Sequence, residues 1–159
     1  MKKLEGFVTK TSQVLDNIAG WGIVVTMTLV VVNILLRSIA NKPIQGVYEI
    51  VGFLTAVVIG LGLAWCAVQK AHIAIEFIVE KFHLKVQKAI SIVTGGMIMV
   101  LLLFISYRVF HHGFKVIASG EVSATAQIPF YPFIFLVGLG FVLLFLVEFV
   151  NLMKEVEQK

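Results

Sequence analysis

Acidic and basic residues are missing from four long stretches of this chain, 17–36, 50–69, 89–107 and 122–147. Each is 19 residues or longer, and a helix rising about 1.5 Å per residue crosses a hydrocarbon core of about 30 Å in about 20 residues. Charge is scarce overall, at 14% of residues against about 25% in soluble domains. With 59% hydrophobic residues and a mean hydropathy of +0.99, a water-soluble fold of this size would expose large sticky patches. Scarcity of cysteine excludes an intrachain disulfide: Cys66 stands alone, and inside an apolar run it is expected to be a small packing residue. Proline occurs three times, twice (Pro129 and Pro132) where the last apolar run begins and a missing N–H matters least.

The apolar runs also lack what transport or catalysis would need. An ionisable group at membrane depth costs roughly 2.5–3.5 kcal/mol or more and persists where it has a role. Here the polar side chains within the runs are mainly Asn33, Thr26, Thr28, Thr55 and Thr94, all uncharged. No mid-span carboxylate exists for a proton exchanger. The four histidines, His72, His83, His111 and His112, fall at or beyond the ends of the runs, which disfavours a haem held between helices. His111 and His112 are adjacent, so on a helix their rings point about 100° apart. No Ser-His-Asp set, phosphate-cradling glycine loop or HExxH spacing is present. The chain is therefore expected to be no enzyme and to need no cofactor or metal.

What is present defines an all-α integral membrane protein. Runs such as 23–25 and 101–105 do not alternate as membrane strands would, and each helix satisfies its own backbone in lipid. Four transmembrane helices are expected at 17–39, 49–69, 88–110 and 128–152. Of the Lys and Arg residues, Lys2, Lys3, Lys10, Lys70, Lys81, Lys85, Lys88, Lys154 and Lys159 fall on one side of that arrangement, and Arg37, Lys42, Arg108 and Lys115 on the other. Short basic loops stay in the cytoplasm, so both termini are expected inside and the connections 37–49 and 108–128 outside. Trp21 and Trp65 near inner ends, with Tyr48, Tyr107, Phe130 and Tyr131 near outer ends, fit the headgroup preference of amphipathic rings. The start Met1-Lys2-Lys3-Leu4 is followed by an apolar run too late and too long for a signal peptide, so it is expected to remain as an anchor. The net charge of +4 reflects topology and headgroup contact, and no basic run is interleaved with stacking aromatics as nucleic-acid binding would need.

Two further segments are amphipathic. Leu4, Phe7, Val8, Thr11, Leu15 and Ile18 recur at helical spacing, and an N-terminal amphipathic helix is expected at 1–16. Further on, His72, Glu76, Glu80, His83 and Gln87 oppose Ile75, Ile78, Val79, Phe82 and Val86, and a second amphipathic helix is expected at 72–86. Both are expected to lie in plane at the cytoplasmic surface, in a single membrane domain, 1–159.

Gly52, Ala56, Gly60 and Ala64 follow one another at intervals of four. Small residues let helix backbones approach closely, either within this chain or against another membrane subunit; Gly95-Gly96 and Gly138-x-Gly140 pose the same choice. Arg37 closes the first span and Glu49 opens the second, so they are expected to meet each other or a partner at the outer interface. The competing reading is that Arg37 snorkels and Glu49 complements a helix N-terminus.

Arg37, Pro43, Glu49, the glycine-rich second span and Ala71-His72-Ile73-Ala74-Ile75-Glu76, followed by Ile128-Pro129 before the last span, resemble the small membrane subunit of tripartite ATP-independent periplasmic (TRAP) transporters, the DctQ-like family. Ile75 and Glu76 stand where Val and Asp are common, which keeps shape and charge. The resemblance covers essentially the whole chain in length and landmark order. It implies a noncatalytic scaffold in the bacterial inner membrane, bracing a large elevator-type subunit that carries the substrate and sodium sites. It also implies a periplasmic substrate-binding protein as a second partner and an organic acid, of sialic acid or C4-dicarboxylate type, as the cargo. Under that reading Lys42, Arg108, Lys115 and Glu121 are candidates for touching the binding protein, and His72 and Glu76 for fixing the inner end of the second span. The alternative class is an autonomous four-helix carrier or channel, and a haem-binding electron carrier is a third.

Overall fold

The computed structural model describes residues 2–69 and 84–157. Within them are four α-helices: α1 (Lys2–Ala40), α2 (Val47–Val68), α3 (Leu84–Ser119) and α4 (Tyr131–Glu157). All four contain a segment long and apolar enough to cross a bilayer. The expected interfacial helix at 72–86, with His72 and Glu76, falls almost wholly outside the described residues.

Neighbouring helices pack in the order α1, α2, α4, α3. The result is a row of two antiparallel hairpins joined through α2 and α4, with α1 also touching α4. Gly46 lies against Ala126, and further along Gly60 lies against Val137. Contacts advance in the same sense on both helices, so α2 and α4 run parallel. A cluster at the other end gathers Val8, Ala64, Ala67, Leu143, Leu144 and Val147, so the start of α1 and the later part of α4 share one end of the bundle.

The segments expected as a surface helix up to residue 16 and a span from residue 17 are one unbroken helix. No proline falls between Lys2 and Lys42 to interrupt it. At about 1.5 Å per residue α1 is about 60 Å long, longer than the hydrocarbon core. Its Val8 and Ser12 are buried, so that part of the stripe faces protein. The Ser12 hydroxyl has no hydrogen-bond partner.

α3 also runs further than expected. Arg108, His111, His112 and Lys115, placed in an outer connection from the sequence, are helical up to Ser119. Gly113 is the weakest helix former in that stretch, and the helix continues past it to end before Gly120, which takes a left-handed conformation (φ 66) and donates its N–H to the Val116 carbonyl at 3.0 Å.

Four of the uncharged polar side chains of the spans serve the backbone, whereas the Ser106 hydroxyl of α3 is buried without a hydrogen-bond partner. Thr26, Thr28 and Thr55 donate their hydroxyls to the carbonyls of Gly22, Val24 and Val51, at 2.7, 2.8 and 2.7 Å. Asn33 accepts the Ile44 N–H on its Oδ1 at 2.8 Å, tying the 41–46 connection back onto α1. Cys66 does not pack inside; it is exposed on α2.

Candidate interaction site

The connections 41–46 and 120–130 lie at the same end of the bundle, and one carboxylate joins them. Gly46 caps α2 in a left-handed conformation (φ 76), and its carbonyl accepts the Glu49 and Ile50 N–H groups at 3.0 and 3.1 Å. Glu49 in that first turn reaches across to the connection before α4. It accepts the Ser123 hydroxyl at 2.6 Å and the backbone N–H groups of Thr125 and Ala126 at 3.0 and 2.9 Å. The turn is shaped to present those donors: Ser123 donates its N–H to the Ile128 carbonyl at 2.9 Å, Gln127 returns its N–H to Ser123 at 3.2 Å, and Val122 bridges to Pro129. Ser123 is buried, and its hydroxyl also accepts the Ile128 N–H at 3.4 Å. Hydrogen bonds to a charged acceptor are stronger than neutral ones, so this cradle locks the two hairpins together.

Glu49 therefore does not pair with Arg37. Its oxygens are committed to donors from 123–126, and no ion pair joins the two residues among those described. Arg37 is exposed at the end of α1. Ser123, Thr125 and Ala126 were not singled out from the sequence; the available signal was a cluster of small hydroxyl residues between two turn-forming positions.

Beside the cradle, α2 and α3 flank a groove of about 790 Å³ whose floor is α4. Its deeper walls are apolar, from Phe53 and Ala56 on α2, Phe104 on α3, and Phe133 and Val137 on α4. Phe53 stacks on Phe133 with centroids 4.8 Å apart and meets Phe130 edge-on at 5.2 Å. Arg108, His111, His112 and Lys115 all line the groove. Their spacing of three, one and three puts them on one helical face, and His111 stacks on Tyr107 one turn earlier. Glu121 adds a carboxylate at the same end. Of the proposed binding-protein contacts, the structure gathers Arg108, Lys115 and Glu121 and leaves Lys42 apart, on the connection after α1.

The stripe of small residues divides. Residues four apart advance by about 400°, so each step drifts by about 40° and the four positions spread over about 120°. Gly60 and Ala64 are buried against the bundle, whereas Gly52 and Ala56 are exposed. At the crossing of α2 and α4, a Cβ on Gly140 would fall on the Gly60 carbonyl, and one on Gly60 would come within 3.1 Å of the Val137 backbone. Gly95 and Gly138 are likewise taken up within the chain, against Leu152 and against Val109 and Phe110, while nothing approaches Gly52 or Gly96.

Among the described residues no three His, Cys, Asp or Glu side chains gather as a metal site. A family model described as the DctQ component of tripartite ATP-independent periplasmic transporters matches residues 26–158. The chain belongs to the DctQ family. It is accordingly a small membrane component of a TRAP transporter, with other subunits as partners. No curated protein and no solved structure matches it. The four spans agree with a multi-pass membrane protein. The DctQ family is one of transporter components and is not a known enzyme family.

Proposed function

We propose that this DctQ-family chain is a noncatalytic scaffold, bracing a large elevator-type membrane subunit during sodium-driven uptake of an organic acid. The sialic acid and C4-dicarboxylate classes are the proposed cargo. In this reading substrate and sodium sites reside on the large subunit, and the chain needs no cofactor of its own. It sits in the bacterial inner membrane with both termini cytoplasmic, the 72–86 segment in plane at the inner face, and the cradle end outside.

The observation that carries the proposal is the contrast between satisfied polar groups and open apolar faces. Thr26, Thr28, Thr55 and Asn33 spend their hydrogen bonds on the chain's own backbone. Meanwhile α1 and α3 expose large side chains along their length, among them Val24, Val31, Leu35, Met97, Val100 and Leu103. A moving neighbour needs a rigid apolar wall, and the Glu49 cradle and the Gly60–Gly140 crossing make these hairpins one body. Arg37, Gly52 and Ala56 on the exposed surface, with His72 and Glu76, are proposed contacts to the large subunit. Lys42, Arg108, Lys115 and Glu121 are proposed to help dock the periplasmic substrate-binding protein.

The test is reconstitution. Vesicles holding both membrane subunits, supplied with binding protein and a sodium gradient, take up the acid; vesicles holding this chain alone take up none. Uptake by the lone chain would overturn the proposal in favour of an autonomous carrier.

A further inference from the structure

The groove between α2 and α3 has two chemically distinct parts, and they follow one another along α3. Its deeper part is apolar, from Phe104, Ala56 and Val137. Its end nearest the 120–130 connection carries Arg108 and Lys115, with His111 and His112 between them on the same helical face. Neither water nor vacuum is a stable filling for an apolar cleft open to the hydrocarbon region, whereas an acyl chain is the solvent at that depth. Basic pockets between membrane helices recognise phosphate headgroups, and Arg108 and Lys115 lie in the last turns of α3, which ends at Ser119. With neutral histidines, two cations against the single carboxylate of Glu121 leave one net positive charge.

We infer that this groove binds an anionic phospholipid, one acyl chain lying between Phe104 and Val137 and the phosphodiester held by Arg108 and Lys115, in place of the binding-protein contact proposed for those two residues. Charge complementarity selects a headgroup with one net negative charge, such as phosphatidylglycerol. In a zwitterionic lipid the ammonium group would add a third cation beside Arg108 and Lys115. The groove's volume is within the range of about 300–1,000 Å³ typical of small-molecule sites. The bound lipid would fill the gap between α2 and α3, which do not pack closely on each other.

The full chain is purified in mild detergent with its large subunit, and defined lipids are titrated while retention is read by native mass spectrometry. The probes are palmitoyl-oleoyl phosphatidylglycerol and the matching phosphatidylethanolamine. Phosphatidylglycerol is expected to bind the wild type more tightly. R108Q and K115Q should each weaken it about fivefold without weakening phosphatidylethanolamine. A56F, which fills the apolar part and leaves the charges untouched, should also displace it. Equal phosphatidylglycerol affinity in the wild type and the R108Q/K115Q double variant would overturn the inference. So would phosphatidylethanolamine held as tightly as phosphatidylglycerol and lost in E121Q. Loss of the large subunit in A56F with lipid retention unchanged would assign the groove to a protein helix and overturn it as well.

Discussion

Glu49 and Ser123 stand 74 positions apart in sequence and are joined by a hydrogen bond of 2.6 Å. That contact, with the neighbouring N–H groups of Thr125 and Ala126, ties the beginning of α2 to the turn before α4 and so connects the two hairpins.

Removing the contact should loosen the bundle. Ser123→Ala is expected to lower the thermal midpoint by about 2–6 °C, and Glu49→Ala by more, because three donors lose their acceptor together. Arg37→Ala should leave it nearly unchanged, since Arg37 makes no ion pair with Glu49. Unfolding in detergent, followed by the fluorescence of Trp21 and Trp65, measures all three. A loss in Arg37→Ala equal to that in Glu49→Ala would restore the ion pair expected from sequence.

Two glycines on α2 should respond with opposite signs to the same substitution. Gly60→Ala drives a Cβ against the Val137 backbone, and overpacking of that kind costs about 1–3 kcal/mol. Gly52 has open space around it, so Gly52→Ala should gain about 0.5–1 kcal/mol of helix propensity in the isolated chain. Thermal unfolding of the separate subunit reads the sign, and copurification with the large subunit shows whether Gly52 serves a partner.

Ser12 is buried with an unpartnered hydroxyl. An unsatisfied buried polar group costs about 1–3 kcal/mol, so Ser12→Ala should stabilise the chain, by about 1 kcal/mol. A lower midpoint for that variant would show that the hydroxyl has a hydrogen-bond partner in the membrane.

Asn33 holds the 41–46 connection through the Ile44 N–H. Asn33→Leu should speed amide exchange at Ile44 by about fivefold, corresponding to a hydrogen bond of about 1 kcal/mol, while leaving α3 and α4 unaffected. Hydrogen exchange with mass spectrometry distinguishes that local opening from general destabilisation.

Cysteine chemistry maps sidedness. In a Cys66→Ser background, Lys42→Cys and Glu121→Cys should both react with an impermeant maleimide from the same side of sealed vesicles, because the two connections share one end of the bundle. Reaction from opposite sides would contradict the packing of α2 with α4.

The number of spans and their helical nature were legible without coordinates. Whether 20 uncharged residues enter a bilayer depends on local composition and the fixed thickness of lipid, and both can be read along the chain. Family membership was legible for a related reason, since Arg37, Pro43, Glu49 and Ile128-Pro129 keep their order whatever they touch. The ends of α3 were less legible, because Arg108, His111, His112 and Lys115 are as compatible with a helix as with a loop.

Partner choice was decided only by tertiary structure. Lys42 and Arg37 are the nearest opposite charges to Glu49 along the chain, but three donors from 123–126 are presented together and already oriented, and they take the carboxylate. The small residues of α2 looked equivalent in sequence, yet a drift of about 40° per step sends Gly60 and Ala64 into the bundle and Gly52 and Ala56 outward. The groove is of the same kind: its apolar walls come from three helices, its basic groups from one face of α3 and its carboxylate from the connection that follows. Composition determines that this chain lives in lipid; the distance between segments far apart in sequence decides which of its surfaces are spent on itself.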